Sequence, residues 1–309
     1  MKIAILIPCY NEALTIGKVV RDFKRALPEA DIYVYDNNST DDSIVLAQDA
    51  QAIVRSEYRQ GKGNVIRSMF KDVQADYYIM VDGDDTYPAE AARDLLNLAI
   101  AKNADMVCGD RLSNGTYAQE NKRGFHELGN NLVKGLVNWI FKSKLNDIMT
   151  GYRVFSDVFV KNFPVMSSGF QIETEMTAFA LNYQYTVLEY PIEYRDRPEG
   201  SVSKLNTFQD GYRVLKLIIQ LFKHSRPLLF FSLITLALVV MSFIAGLPVI
   251  IEYLSTRYVS HVPLAILASG IMVLAAITYM VGLILETLVY YKKMDFELHR
   301  LQYRKNHHD

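Results

Sequence analysis

The sequence predicts an α/β domain, a mostly parallel sheet flanked by helices, joined to a C-terminal two-helix transmembrane hairpin. Three observations lead there. Short apolar runs alternate with helical stretches in the N-terminal part of the chain. Polar clusters recur directly after those runs. Two long, almost uncharged runs occupy the C-terminal part.

The alternation runs in order. Ile3–Ile7 reads as a strand, followed by a helix over Thr15–Ala26; Asp31–Tyr35 as a strand, then a helix over Thr40–Gln48. Ile53–Arg55 and the helical stretch Asn64–Lys71 come next, then Tyr77–Val81, Ala89–Ala101 and Met106–Cys108. A βαβα rhythm of this kind builds a sheet covered by helices, with ligands collecting at the carboxyl ends of its strands. Glu127–Phe141 has apolar residues at helical spacing with Lys134 inside it. It suits a core-facing helix or one lying on a membrane surface.

The C-terminal runs differ in kind. Leu228–Leu254 carries one charge, Glu252, and Leu264–Tyr291 only Glu286. Each exceeds the ~20 residues that span a hydrocarbon core. Lys216, Lys223 and Arg226 precede the first run, and Lys292, Lys293, Arg300, Arg304 and Lys305 follow the second, whereas the connection between them has only Arg257. The positive-inside bias then puts both termini, and the N-terminal domain, on the cytoplasmic side of the cell membrane. The expected organisation is a catalytic domain over 1–205 and an amphipathic juxtamembrane helix over 206–227. Two spans over 228–291 and a basic tail over 292–309 complete it. Glu286 inside a span is expected to face a partner helix, in this hairpin or in a second copy of the chain.

Composition narrows the classes. A chain of 309 residues holds one sizeable domain plus an appendage. A formal net charge of −1, with no Lys/Arg stripe interleaved with aromatics, argues against a nucleic-acid partner. The two cysteines, Cys9 and Cys108, have no metal spacing and read as small core residues of a reduced compartment. Ile3–Ile7 is too short for a signal-peptide core, so secretion is not expected.

The polar clusters carry the chemistry. Asp82-Gly83-Asp84 directly follows an apolar run, and two carboxylates across a glycine offer hard oxygen ligands to Mg²⁺ or Mn²⁺. A three-residue pattern is also compatible with a solvated turn, so its neighbours decide. Tyr10-Asn11-Glu12 follows the first strand and Asp36-Asn37-Asn38-Ser39-Thr40-Asp41 the second. Asp36 suits a nucleobase or ribose contact, whereas Thr40 or Asp41 suits a helix cap. Gly61-Lys62-Gly63 permits close backbone approach to a phosphate, with Lys62 as counter-charge, and Arg111 closes a later strand at the same edge.

Taken together, Ile-Pro-Cys-Tyr-Asn-Glu at 7–12, Asp-Asn-Asn-Ser-Thr-Asp at 36–41, Gly-Lys-Gly at 61–63 and Asp-Gly-Asp-Asp-Thr-Tyr-Pro at 82–88 resemble the family 2 glycosyltransferases of the GT-A fold. Gly-Tyr-Arg-Val-Phe at 151–155 and Asp-Arg-Pro-Glu-Gly-Ser-Val-Ser-Lys-Leu at 196–205 are similar to the dolichol-phosphate mannose synthase-like branch. The resemblance implies a nucleotide-binding first loop through Pro8, Tyr10 and Glu12, with Asp36 in the second. It implies a metal held by Asp82 and Asp84 around Gly83, with Thr86 where relatives often have a further ligand. It places Arg111, Arg197, Ser203 and Lys204 on an acceptor phosphate.

The expected activity is inverting transfer of a sugar from a nucleotide-diphosphate donor to a polyprenyl monophosphate, undecaprenyl or dolichyl. UDP-glucose or UDP-N-acetylglucosamine is preferred over GDP-mannose. Glu173, Glu175 and Asp147 are candidates to orient the sugar or act as base, or else to pair with Arg153 or cap a helix. Three rivals stand beside this reading. A processive synthase would carry Gln-x-x-Arg-Trp, but Trp139 follows Asn138. A transferase to a hydroxyl acceptor would need a general base. A non-enzymatic nucleotide-sugar sensor would not need Asp82, Asp84, Arg197 and Lys204 together.

Overall fold

The computed structural model describes residues 1–113, 124–198 and 207–308. Its contacts divide the chain into two compact units, Met1–Ile218 with Gln302–Asp309, and Ile219–Leu301.

The first unit is built on a seven-stranded sheet in the order β3-β2-β1-β4-β6-β5-β7. The strands are β1 (Ile3–Cys9), β2 (Asp31–Asp36), β3 (Ile53–Ser56), β4 (Tyr77–Met80), β5 (Met106–Asp110), β6 (Arg153–Ser156) and β7 (Val187–Pro191). Between them run α1 (Ile16–Ala26), α2 (Ser43–Asp49), α3 (Lys62–Asp72), α4 (Ala91–Ala101), α5 (Gly124–Phe141), α6 (Asp157–Asn162) and α7 (Ile172–Asn182). After β7 the described chain resumes with α8 (Thr207–Ser225). The βαβα reading holds through β5, with several strand ends and helix starts shifted by one to three residues.

The β1 strand shows why the sheet forms. Ile3, Ala4, Ile5, Leu6 and Ile7 are all buried, as a strand covered on both faces requires. On α1, Ile16, Val19, Val20 and Phe23 recur at helical spacing, and all four lie in the same core as Ile5, Ile7 and Val34.

The β6 strand makes the sheet mixed, because it pairs antiparallel with both β4 and β5 while the other pairings are parallel. Met80 lies opposite Arg153, so the residues just before β6 come alongside those just after β4. This reversed strand therefore delivers Thr150-Gly151-Tyr152 to the carboxyl edge of the parallel strands. Strand order also reverses direction around β1 and β4, the place where sheets of this kind open a crevice.

The second unit contains α9 (Pro227–Thr256) and most of α10 (Val262–His308), both long and apolar enough to cross a membrane. Their side chains face outward, with Leu236, Phe243, Ile244 and Leu274 all more than half exposed, unlike a soluble core helix. Pro227 opens α9 at a position where a missing N–H costs nothing. Glu286 does not wait for a second chain. Its Oε2 accepts the Leu228 N–H at 3.1 Å, so the acid within the second apolar run caps the start of α9. Ser242 Oγ donates to Ala268 O at 2.8 Å and Thr235 Oγ1 to Ala275 O at 3.5 Å.

The residues expected as a basic tail continue the α10 helix. Its last turns, from Gln302 onward, belong to the first unit, within which Arg304 Nη2 lies 3.5 Å from Asp105 Oδ1.

Candidate active site

The carboxyl edge of the sheet gathers Asp36 at the end of β2, Asp82 and Asp84 after β4, and Asp110 and Arg111 at the end of β5. Asp84 is buried, whereas the Asp82 side chain keeps 26% exposure.

The backbone of the Asp82–Thr86 turn bends at Asp85. Gly83 is not in the left-handed region; Asp85 is, at φ 60°, and Lys18 holds its carboxylate at 2.7 Å. A Cβ on Gly83 would lie 3.3 Å from Ile16 Cδ1 and 3.5 Å from Ile7 Cγ2, so the glycine serves close packing on the core. Its carbonyl accepts the buried Thr15 hydroxyl at 2.6 Å, which pins the turn to the start of α1.

Each metal-type carboxylate meets a cation. Lys62 Nζ lies 2.5 Å from Asp82 Oδ1 and 2.5 Å from Glu173 Oε1. Arg197 Nη2 lies 2.5 Å from Asp84 Oδ2, and the Thr86 hydroxyl donates to Asp84 Oδ1 at 2.7 Å. Thr86 is thus engaged as a donor that orients Asp84. Burial works against the Lys62 charge, but the Asp82 and Glu173 carboxylates outweigh it and raise the pKa, so Lys62 stays an ammonium. Burial raises the Glu173 pKa against the pull of Lys62, and the nearby Asp82 charge adds to the rise.

The glycines flanking Lys62 also have another job. Gly61 has φ 127°, and a Cβ there would stand 2.2 Å from Ser168 O. A Cβ on Gly63 would stand 2.1 Å from Ser167 O, and Gly63 N–H donates to Ser168 O. The loop is flattened against Ser167-Ser168, which aims Lys62 inward, and the two glycines let those chain segments meet. Asn37 fixes the other side, accepting from Gly61 N–H at 2.7 Å and donating to the carbonyls of Glu57 and Arg59.

The remaining acids separate by role. Asp147 takes a two-pronged grip from Arg111, Nε to Oδ2 at 2.7 Å and Nη2 to Oδ1 at 3.0 Å. Burial would raise its pKa, but Arg111 overrides this and holds the carboxyl below its ordinary value. Glu175 accepts the backbone N–H groups of Met166 and Ser167 at 2.9 and 2.7 Å, which braces the loop behind Lys62. Arg153 bonds Thr150 O, Ile148 O and Thr177 Oγ1, and the three acids find the partners just described.

Around the donor-type residues, Pro8 O would stand 3.6 Å from a Gly83 Cβ, so the β1 end abuts the turn. Tyr10 is exposed, and Glu12 N–H donates to Ser43 Oγ at 2.8 Å. Asp36 accepts the Ser39 N–H, which closes its own loop. Asp41 accepts from Ser43 N–H at the start of α2 and from Ala13 N–H, tying the first two loops together. Ser203 and Lys204 lie outside the described residues.

Sequence reading assigned nothing to Tyr87 or Gly151, yet both are central. The buried Tyr87 hydroxyl accepts from Gly151 N–H at 2.9 Å and from Arg111 Nη1 at 3.3 Å. The Arg111 guanidinium carbon lies 6.0 Å from the Tyr87 ring centre and 5.8 Å from that of Tyr194. A Cβ on Gly151 would stand 2.5 Å from Asp82 Oδ2, so only glycine lets the β6 approach share space with that carboxylate.

The donor set fits a divalent cation. Two hard carboxylates bracket one turn, and each now faces a side-chain cation that balances the charge. Among the described residues no three His, Cys, Asp or Glu side chains converge into a cage. Asp82 and Asp84 would therefore share an ion with ligand oxygens, as Mg²⁺ commonly binds through one or two carboxylates.

Known proteins are similar to this chain at both levels. The glycosyltransferase AglJ of Haloferax volcanii is 32% identical, over 86% of this chain and 86% of its own. A dolichyl-phosphate hexose transferase of the same organism is 26% identical, over 71% of this chain and 92% of its own. Among solved structures, glucosyl-3-phosphoglycerate synthase from Mycobacterium tuberculosis, in complex with Mn²⁺, uridine diphosphate and glucosyl-3-phosphoglycerate, shares the fold. It gives a TM-score of 0.56 at 16% identity, over 72% of this chain and 79% of its own. Residues 4–160 match Glycosyl transferase family 2. With that match and a sheet edge lined by paired acids and cations, the chain is an enzyme and belongs to glycosyl transferase family 2.

Proposed function

We propose that the enzyme transfers a sugar from a nucleotide-diphosphate donor to a polyprenyl monophosphate, with inversion, at the cytoplasmic face of a membrane. The observation that carries this reading is the meeting of two carboxylates and two cations after β4: Asp82 with Lys62, and Asp84 with Arg197. Such an edge holds anions on both sides of a sugar. One relative is named a dolichyl-phosphate hexose transferase, and a fold relative is described with Mn²⁺ and uridine diphosphate. The two long apolar helices suit an enzyme whose acceptor stays in the bilayer.

A bound Mg²⁺ or Mn²⁺ supplies Lewis-acid stabilisation of the leaving diphosphate, and Asp82 and Asp84 are the residues to hold it. Pro8, Tyr10, Glu12 and Asp36 bind the nucleotide, with UDP-glucose or UDP-N-acetylglucosamine preferred over GDP-mannose. Lys62, kept charged between two acids, adds positive potential beside the diphosphate. Arg111 and Arg197, with Ser203 and Lys204, receive the lipid phosphate. That phosphate is largely dianionic at neutral pH, with a second pKa of about 6, so an oxygen attacks the anomeric carbon without a strong base.

A hydroxyl acceptor would need such a base. Asp147, gripped by Arg111, suits that task poorly; Glu173, with a raised pKa, suits it better. One assay separates the two. Full-length protein is incubated with Mn²⁺ or Mg²⁺, labelled UDP- and GDP-sugars, and undecaprenyl or dolichyl phosphate. We expect a metal-dependent, mild-acid-labile glycolipid, and a loss of about 100-fold or more in Asp84→Ala, the scale of removing one transition-state charge contact. Absence of product from every donor, or full activity in Asp84→Ala, overturns the reading.

A further inference from the structure

We infer that Arg197 is a placeholder for the metal: its guanidinium occupies Asp84 until a divalent cation arrives, and is then released towards the anionic acceptor. The inference rests on the sugar-transfer reading for what Arg197 does after release, but not for the exchange itself.

Both oxygens of Asp84 are engaged. Thr86 donates to Oδ1 at 2.7 Å and Arg197 Nη2 sits 2.5 Å from Oδ2. The Asp84 side chain is 6% exposed, so a carboxylate left unpaired there would carry a heavy desolvation cost. Arg197 removes that cost while no ion is bound. A divalent ion on Oδ2 would stand within a few ångströms of the guanidinium, and like charges so close repel strongly in a site of low effective dielectric. The two cations therefore exclude each other.

The other cation is built to stay. Lys62 is 7% exposed and spans Asp82 and Glu173, so it keeps the Glu173 carboxylate when an ion claims Asp82. Arg197 is more exposed, at 26%. Its backbone is anchored close by, because Arg195 N–H donates to Thr86 O at 3.1 Å. The side chain can therefore leave while the segment keeps its hold on the carboxylate turn.

Two consequences follow. Metal binding carries the work of breaking the Arg197–Asp84 pair, so the pair lowers metal affinity. A residue assigned to the acceptor phosphate becomes more available when the metal is in place, so metal and acceptor anion strengthen each other's binding. By linkage the coupling is reciprocal, and an anion that draws Arg197 away favours the metal by the same factor.

The test measures Mn²⁺ affinity by electron paramagnetic resonance of the free ion, using full-length protein in detergent. It compares the unmodified protein with Arg197→Gln, Arg197→Lys and Arg195→Gln. We expect Arg197→Gln to bind Mn²⁺ roughly tenfold more tightly, a gain of about 1.4 kcal/mol. Arg197→Lys should lie near the unmodified protein, since it keeps a competing cation. Arg195→Gln removes the same charge two residues away from a side chain 44% exposed and paired with Glu90, and should leave Mn²⁺ affinity unchanged. Equal or weaker binding in Arg197→Gln overturns the inference, as does an equal gain in Arg195→Gln, which would mark a general charge effect. The glycolipid assay run in parallel keeps the two claims apart. Product without the affinity gain removes the placeholder and leaves the transfer reading; the gain without product from any donor does the reverse.

Discussion

A buried charge persists only when a partner replaces the water it has lost, and Asp147 shows how completely this can be done. Arg111 meets both its oxygens, and the resulting drop in pKa links the pair to stability. A carboxyl whose folded-state pKa lies below its unfolded value of about 3.9 contributes stability fully above that value and loses it as pH falls through the lower one. Asp147→Asn should therefore cost about 3 kcal/mol at pH 7, the lower end for breaking a buried pair. The deficit should shrink only below about pH 3.9. Chemical denaturation of both proteins at pH 7 and pH 3 checks this, and a deficit that does not change with pH would contradict it. The Asp82-Gly83-Asp84 motif was legible in the sequence as a pair of acids. The cations facing it were not legible as partners, because Lys62 and Arg197 are separated from it by 20 and 113 residues.

At the scale of elements, the decisive feature is the antiparallel β6 strand. A parallel strand in its place would present its other end to the active edge, and Gly151 would not lie against Asp82. The α3 start makes the same point, because Gly61 and Gly63 are required by Ser167 and Ser168, about a hundred positions away in the chain. Gly63→Ala should be severe. The atom it meets, at 2.1 Å, is a backbone carbonyl oxygen that cannot rotate aside. We expect a loss of about 1–3 kcal/mol from overpacking. Lys62 would shift with it, so transfer should fall more than tenfold in protein that remains folded. Thermal unfolding and glycolipid formation measured on one preparation test both halves. Helices and strands up to β5 were legible because their apolar periods are regular. The β6 strand and the two helices after it were not, since Arg153 is a fully buried cation inside a strand and Glu173 and Glu175 are buried acids at the start of a helix. Such residues erase the periodic contrast that pattern reading uses.

For the whole molecule, the two units rest on different physics. The sheet unit is held by burial of apolar side chains from water, whereas α9 and α10 keep most of their apolar side chains exposed and meet through close packing and polar bonds. Gly246 and Gly282 leave room where a Cβ would meet Ala268 and Phe231 at 3.4 and 3.0 Å, and Ser242 bonds Ala268 O. Ser242→Ala should weaken the packing of α9 on α10 by about 0.6 kcal/mol, the average for such bonds, and by no more than about 1.7 kcal/mol. Mn²⁺ affinity, which we propose Asp82 and Asp84 set in the other unit, should stay unchanged. Denaturation in mixed micelles and a Mn²⁺ titration test this division, and a fall in both would show that the units are not energetically separate.

Local pattern was enough to establish the alternating α/β order, the two apolar helices, the acidic turn after the fourth strand and the family likeness. Periodicity, charge and short motifs are written in neighbouring residues. The pairing of Asp82 with Lys62 and of Asp84 with Arg197, the lock of Arg111 on Asp147, the hub at Tyr87 and the capping by Glu286 were decided by the tertiary structure. Each joins residues far apart in the chain, and the energy of a buried charge depends on what the fold brings within a few ångströms of it.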